Sequence, residues 1–239
     1  MGLFDEYNRR ARILPAALVI SPLLIFLPQV GADIMSLFHV FTGTGIIATA
    51  GLAMASAIVR QLGVSYEKEF NKRLGGWPST VIVRWRDDTK SDEYKRLIHE
   101  AVQRKFGMKL FSRDEEELDP EEADKRIEDA FGRIKKNIRG DKARMSHQDN
   151  IDYGFVRNLF GARWVWIGSC AFSTLCCALI PYLKHQEINW ILTTISAVFL
   201  ACVVLIEWGV VKSHIEHCAF AYARSAWDDI WSLPDKEGE

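Results

Sequence analysis

An all-α integral membrane protein is predicted, with two transmembrane helical hairpins making four spans and a mainly helical cytoplasmic insert between them. Three observations carry the prediction. Residues 13–59 and 164–211 are almost free of charge, whereas 60–163 is crowded with Lys, Arg, Asp and Glu. Each apolar stretch divides into two runs close to the roughly 20 residues that cross a bilayer. Basic residues collect on one side: of the 30 Lys and Arg, Lys184 alone falls in a link assigned to the far face. The formal net charge of −1 gives no whole-chain argument for a nucleic-acid or strongly acidic partner.

Residues 1–12 form a cytoplasmic N-terminus whose Arg9, Arg10 and Arg12 flank span one. That span, 13–30, carries Pro15, Pro22 and Pro28, so a kink or local unwinding is expected near Pro22. A signal peptide is the competing reading. The length of the run, the missing small-x-small cleavage site and the immediate second span favour retention. Gly2 carries no myristoylation signal, because position 6 is Glu. Span two, 37–59, is rich in small residues. Thr44, Gly51 and Ala55 are its helix-packing or pore-lining candidates, since small residues four apart let helices approach closely.

The insert, 60–163, begins by continuing span two, with Tyr66, Phe70 and Leu74 on one face. Gly75-Gly76-Trp77-Pro78 breaks that helix, and Thr80–Trp85 has the β-branched composition of a strand or an extended segment. A helix follows from Ser91 to Gly107. Another follows Asp119-Pro120-Glu121-Glu122, where Asp119 caps, Pro120 suits the first turn and Glu122 can close a capping box. The stripe Ile127, Ala130, Phe131, Ile134 and Ile138 suits packing against the first of these helices. A stretch from His147 to Phe160 leads into span three, 164–183, and span four, 190–211. The C-terminal segment, 212–239, has an amphipathic face of Phe220, Ala223, Trp227, Ile230 and Trp231, suited to the inner membrane surface or to docking on the insert. Both termini and the insert are placed in the cytoplasm, and the membrane is read as a bacterial inner membrane.

Candidate chemistry is sparse. Glu207 lies about one turn inside span four, and a carboxylate there is costly unless paired, wet or protonated; snorkelling to the interface is the simpler alternative. His39, near the outer end of span two, is the other intramembrane polar candidate. Arg84, Arg86, Asp87 and Asp88 form a dense cluster that either binds an anionic ligand or partner or satisfies itself in salt bridges. His214, His217 and Cys218 share a helical face without a four-ligand closure, so no metal site is assigned. The five cysteines have no paired spacing. No cofactor is implied, and no nucleophile–base–acid set suggests an enzyme.

Two blocks bring a resemblance. Gly75-Gly76-Trp77-Pro78-Ser79-Thr80 with Arg84 and Arg86-Asp87-Asp88 resembles a Gly-Gly-x-Pro-Thr-Thr…Arg-Asp block, from which Trp77 and Ser79 depart. Asn150-Ile151-Asp152-Tyr153-Gly154-Phe155-Val156-Arg157-Asn158-Leu159-Phe160-Gly161 resembles an Asn-x-x-Tyr-Gly-Phe-x-Arg-Asn-Leu-x-Gly block. Both resemble segments of bacterial four-span proteins with a soluble loop between hairpins, and the layout resembles membrane effectors and subunits of anti-phage defence systems. The small residues of span two, the proline-broken span one and Glu207 motivate the matching expectation: a homo-oligomer in the lipid bilayer whose insert senses a cytoplasmic protein partner or ligand and whose spans perturb or permeabilise the membrane. Arg157, in the second block, joins the partner-binding candidates. The alternative is a non-conducting anchor that recruits a soluble partner through the insert.

Overall fold

The computed structural model describes residues 5–30, 45–137, 144–207, 209 and 212–235. They are helical throughout, with no strand among them. A π-helical turn, Asn8–Ile13, runs into α1, Leu14–Ile20. Then come α2 (Gly45–Leu74), α3 (Pro78–Val81), α4 (Asp92–Phe106), α5 (Arg113–Leu118) and α6 (Pro120–Asn137). The second half contributes α7 (Arg144–Gly161), α8 (Arg163–Leu183), α9 (Trp190–Ile206) and α10 (Lys212–Asp228). His39 and Thr44 lie outside the described residues.

Two compact units form: Met1–Glu67 with Gly154–Ile215, and Lys68–Tyr153 with Glu216–Glu239. Both divisions therefore fall inside helices, at α2 and α7, with a third inside α10.

The first unit has an apolar core and an apolar surface. Its buried positions include many small, hydroxyl or thiol side chains, among them Ala11, Ala16, Ser56, Cys170, Ser173, Cys177 and Ser196, beside larger ones such as Val59, Leu159, Trp166 and Val203. Many other large apolar side chains face outward: Met54 is 66% exposed, Leu175 59%, Ile191 73% and Leu205 70%. Water would penalise that surface, since a soluble chain hides most large apolar groups. The small residues let α8 and α9 approach, and the Thr174 and Ser196 hydroxyls meet across them at 2.9 Å. Among the described residues, α8 alone is long and apolar enough to cross a bilayer, and α9 is a shorter apolar helix.

Proline explains the shape of the N-terminal segment. Lacking an N–H, a proline leaves the carbonyl four residues earlier without its helical donor. For Pro22 that carbonyl belongs to Leu18, and the Ser21 hydroxyl donates to it at 2.9 Å. The helix tightens there into a 3-10 turn, Ser21–Leu24. The freed Val19 carbonyl accepts from the Ser169 hydroxyl of α8 at 2.7 Å.

The second unit is built on one apolar core. Ile82, Val83, Ile98, Val102, Ile127 and Ile134 pack with Trp227 and Ile230 from the chain's C-terminal end. Of the two places open to the C-terminal amphipathic segment, the structure shows docking. Trp227 is fully buried, and its indole N–H donates to the Ser79 carbonyl at 2.8 Å. Ser91 caps α4 by accepting from the Tyr94 N–H, and Gly107 ends it with φ 63°. Asp119 caps α6 through the Glu122 N–H at 3.1 Å. The acidic run before it is itself helical: Ser112 and Glu115 close a capping box on α5.

Thr80–Trp85 is not a strand. Trp77 is extended, Pro78 starts α3, and the Thr80 and Val81 N–H groups bond back to the Trp77 carbonyl at 2.8 and 2.9 Å. Thr80, Val81, Ile82 and Val83 are all buried. A strand with one solvated face would alternate; this run enters the core as one turn, so every β-branched side chain is used inward.

Candidate functional site

The first unit holds two polar constructions. One lies where α2, α7 and the N-terminal segment converge. Gly63 and Gly161 touch backbone to backbone: a Cβ on Gly161 would stand 2.5 Å from the Gly63 Cα. Only a glycine pair allows that crossing. Beside it, the fully buried Asn158 donates its amide to the Ala11 carbonyl at 2.6 Å. Ala11 is four residues before Pro15, so this is the carbonyl the proline leaves without a helical donor. Asn158 also accepts from Arg157, at 3.4 Å from Nε and 3.3 Å from Nη2, while Arg157 Nη1 reaches both Glu67 oxygens at 3.2 and 3.1 Å. Arg157, read as a partner-binding candidate, is thus held by groups of its own unit.

The second construction is Glu207, at the end of α9. It is 5% exposed, and neither carboxylate oxygen has a hydrogen-bond partner among the described residues. One turn earlier, Val203 packs with Ala162, Trp166 and Cys170. The Trp166 indole N–H is also without a partner, and Arg163 supplies the positive charge that acts on Glu207. Glu207 therefore does not snorkel into solvent, and its carboxyl group is held in an apolar setting. A group so placed can take up or release a proton, or meet a cation. Of the small-residue candidates in α2, Gly51 is exposed, with open space where a Cβ would be, and Ala55 packs at the edge of the unit's core.

The charged cluster of the second unit is knitted to itself. Arg84 is 9% exposed and donates to the Gly75 carbonyl at 2.9 Å, with Asp87 at 3.5 Å and Asp124 at 3.8 Å. Arg86 pairs with Glu116 at 3.0 Å and Asp124 at 2.5 Å. Burial works against the Asp87 charge, but two hydrogen bonds from Thr89 and the Arg84 guanidinium outweigh it and hold the carboxyl below its ordinary value. Asp88 is exposed and lines a shallow cavity of about 310 Å³ with Arg113 and Glu117. Of the two readings open for Arg84, Arg86 and Asp87, the contacts show salt bridging.

Sequence reasoning missed the organisers of both networks. Glu116, 2% exposed, accepts the Trp85 and Arg86 backbone N–H groups at 2.9 and 3.0 Å. Lys95, fully buried, donates to the Trp85 and Asp87 carbonyls. Neither position carries a local signal, because their partners are fixed by tertiary packing. Asn158 had one: Pro15 announces an orphaned Ala11 carbonyl, though nothing in the sequence says which donor answers it. In α10, His214 and His217 are exposed and Cys218 is buried, and no group of three or more His, Cys, Asp or Glu among the described residues is placed to hold a metal ion. The chain matches no family model, no curated protein and no solved structure, so its function has to be argued from these residues.

Proposed function

We propose that this chain is a four-span protein of the bacterial inner membrane, acting as an oligomeric effector of the kind found in anti-phage defence. A cytoplasmic partner or ligand would act on the second unit, and the spans would then make the membrane leaky. The observation that carries the reading is Glu207, a carboxylate buried without a partner in a unit many of whose large apolar side chains face outward. A passive anchor has no use for such a group; a pathway for protons or cations does. The exposed small-residue stretch around Gly51 gives a surface on which copies can meet. The boundaries between the units fall within α2 and α7, and the proposed signal would pass along those helices.

The test is membrane potential in cells expressing the intact chain beside Glu207→Gln. Glutamine keeps the shape and removes the titratable proton. Expression of the wild type should depolarise the membrane, and Glu207→Gln should abolish this at equal membrane abundance. Depolarisation unchanged in Glu207→Gln would remove Glu207 from the pathway. A wild type that leaves cells polarised and ion-tight liposomes intact, under every trigger tried, would leave the anchor reading in its place.

A further inference from the structure

In the first unit, the N-terminal segment and α2 enclose a cavity of about 220 Å³ that neither Glu207 nor the glycine crossing touches. One end is polar and positive: Asn8, Arg12, Arg60 and Ser56 line it. The rest is mainly apolar, formed by Ile13, Leu52, Ala53 and Ala57, with Thr49 beside them. No Asp or Glu stands among the lining residues, and neither Arg12 nor Arg60 has an ion pair among the described residues. The acidic side chains nearby in sequence are spent elsewhere: Glu6 pairs with Arg10 at 3.3 Å, and Asp5 accepts from the Asn8 N–H at 2.8 Å. Arg12 lies over the Tyr7 ring at 5.2 Å, and its Nε is enclosed without an acceptor. Ser56 is 9% exposed and faces the same space.

Arg60 is exposed and Arg12 half-buried, so the two guanidiniums leave a half-open, positive cavity with no carboxylate, a setting that favours an anion. Phosphate oxygens suit the planar fork of arginine and take several charge-assisted hydrogen bonds at once. The apolar end excludes a bare ion as the whole occupant, because Leu52, Ala53 and Ile13 gain nothing from it. A molecule with a phosphate at one end and a hydrocarbon chain at the other satisfies both ends. We propose that this cavity binds an anionic phospholipid, its phosphate between Arg12 and Arg60 and the start of an acyl chain along Leu52 and Ala53 of α2. The proposal rests on the membrane reading above. It adds that the N-terminal segment is held against α2 through a lipid, so the protein senses the anionic lipid of its own leaflet.

Native mass spectrometry of the full chain in neutral detergent tests this, with phosphatidylglycerol and phosphatidylethanolamine of matched chains offered together. The wild type should retain one phosphatidylglycerol with roughly tenfold preference, because both lipids carry the phosphate but the ethanolamine ammonium is repelled by the two guanidiniums. Arg12→Gln with Arg60→Gln should lose that preference, the double lysine variant should recover part of it, and Arg9→Gln with Arg10→Gln should keep it. Equal retention of the two lipids by the wild type would overturn the proposal, as would a preference that survives in the double glutamine variant. Displacement by inorganic phosphate as effectively as by free lipid would make this a phosphate site and overturn the lipid assignment. Carbonate extraction of membranes separates the two readings. A chain that washes off overturns the membrane reading itself, whereas a chain that stays but shows no lipid preference overturns this proposal alone.

Discussion

His99, on α4, shows how one side chain ties the second unit to pH. It is half-buried, its Nε2 lies 3.2 Å from the Val83 carbonyl, and its ring meets Trp85 edge-on at 4.9 Å. Burial, helped by the Lys95 ammonium, pushes the imidazole below its ordinary 6.5; the Val83 hydrogen bond and the Glu116 charge pull only partly the other way. In the window below 6.5 the unfolded chain therefore takes up a proton that the folded chain resists. Its contribution to stability is complete above that value and is lost as pH falls towards the depressed folded value. Thermal melts of the solubilised protein followed by tryptophan fluorescence should show a midpoint that drops on acidification through this window. His99→Gln should flatten that part of the profile, and an unchanged profile would show that His99 titrates normally.

At the scale of the element, the crossing of α2 and α7 decides more than either helix's own propensity. Gly63 and Gly161 are ordinary helix residues by conformation, and each costs a helix about 1 kcal/mol relative to alanine. Their presence is explained by contact alone: a methyl on Gly161 would press on the Gly63 backbone, which cannot rotate aside. Gly161→Ala should therefore destabilise the first unit by about 1–3 kcal/mol, the usual cost of overpacking, instead of stabilising its helix. Gly51→Ala, where nothing lies within 4 Å, should be neutral or slightly stabilising in the isolated chain. Thermal melts of the two variants in the same detergent check the contrast, and equal melting temperatures would mean the crossing is loose.

For the whole molecule, the proposed topology makes a prediction by fusion. Alkaline phosphatase, active only outside the cytoplasm, should work when fused after Ala32 or Gln186 and fail after Asp141 or Glu239. Activity at Glu239 would reverse the orientation drawn from the basic residues. Much of the architecture was legible because it rests on local rules. The capping residues Ser91 and Asp119, the break at Gly75-Gly76-Trp77-Pro78 and the unwinding at Pro22 each act within a few residues. What stayed hidden depends on partners distant in sequence. Thr80–Val83 has the composition of a strand, yet Trp227 and α4 give it a core to enter as a turn. For Arg84 and Arg86 the sequence left ligand binding and salt bridging both open, and their partners Glu116, Asp124 and Gly75 are fixed only by the fold. Glu207 was recognisable from its position in an apolar run, but its enclosure was not.

The bond between Asn158 and Ala11 also bears on how the chain is made. Its two ends lie 147 residues apart, so the N-terminal segment leaves the ribosome long before its donor exists. Until the second half is translated, the Ala11 carbonyl must borrow water or a passing donor, and the first helix stays unfinished. Folding of this protein is therefore sealed from the far end: the earliest segment to be made is among the last to be locked.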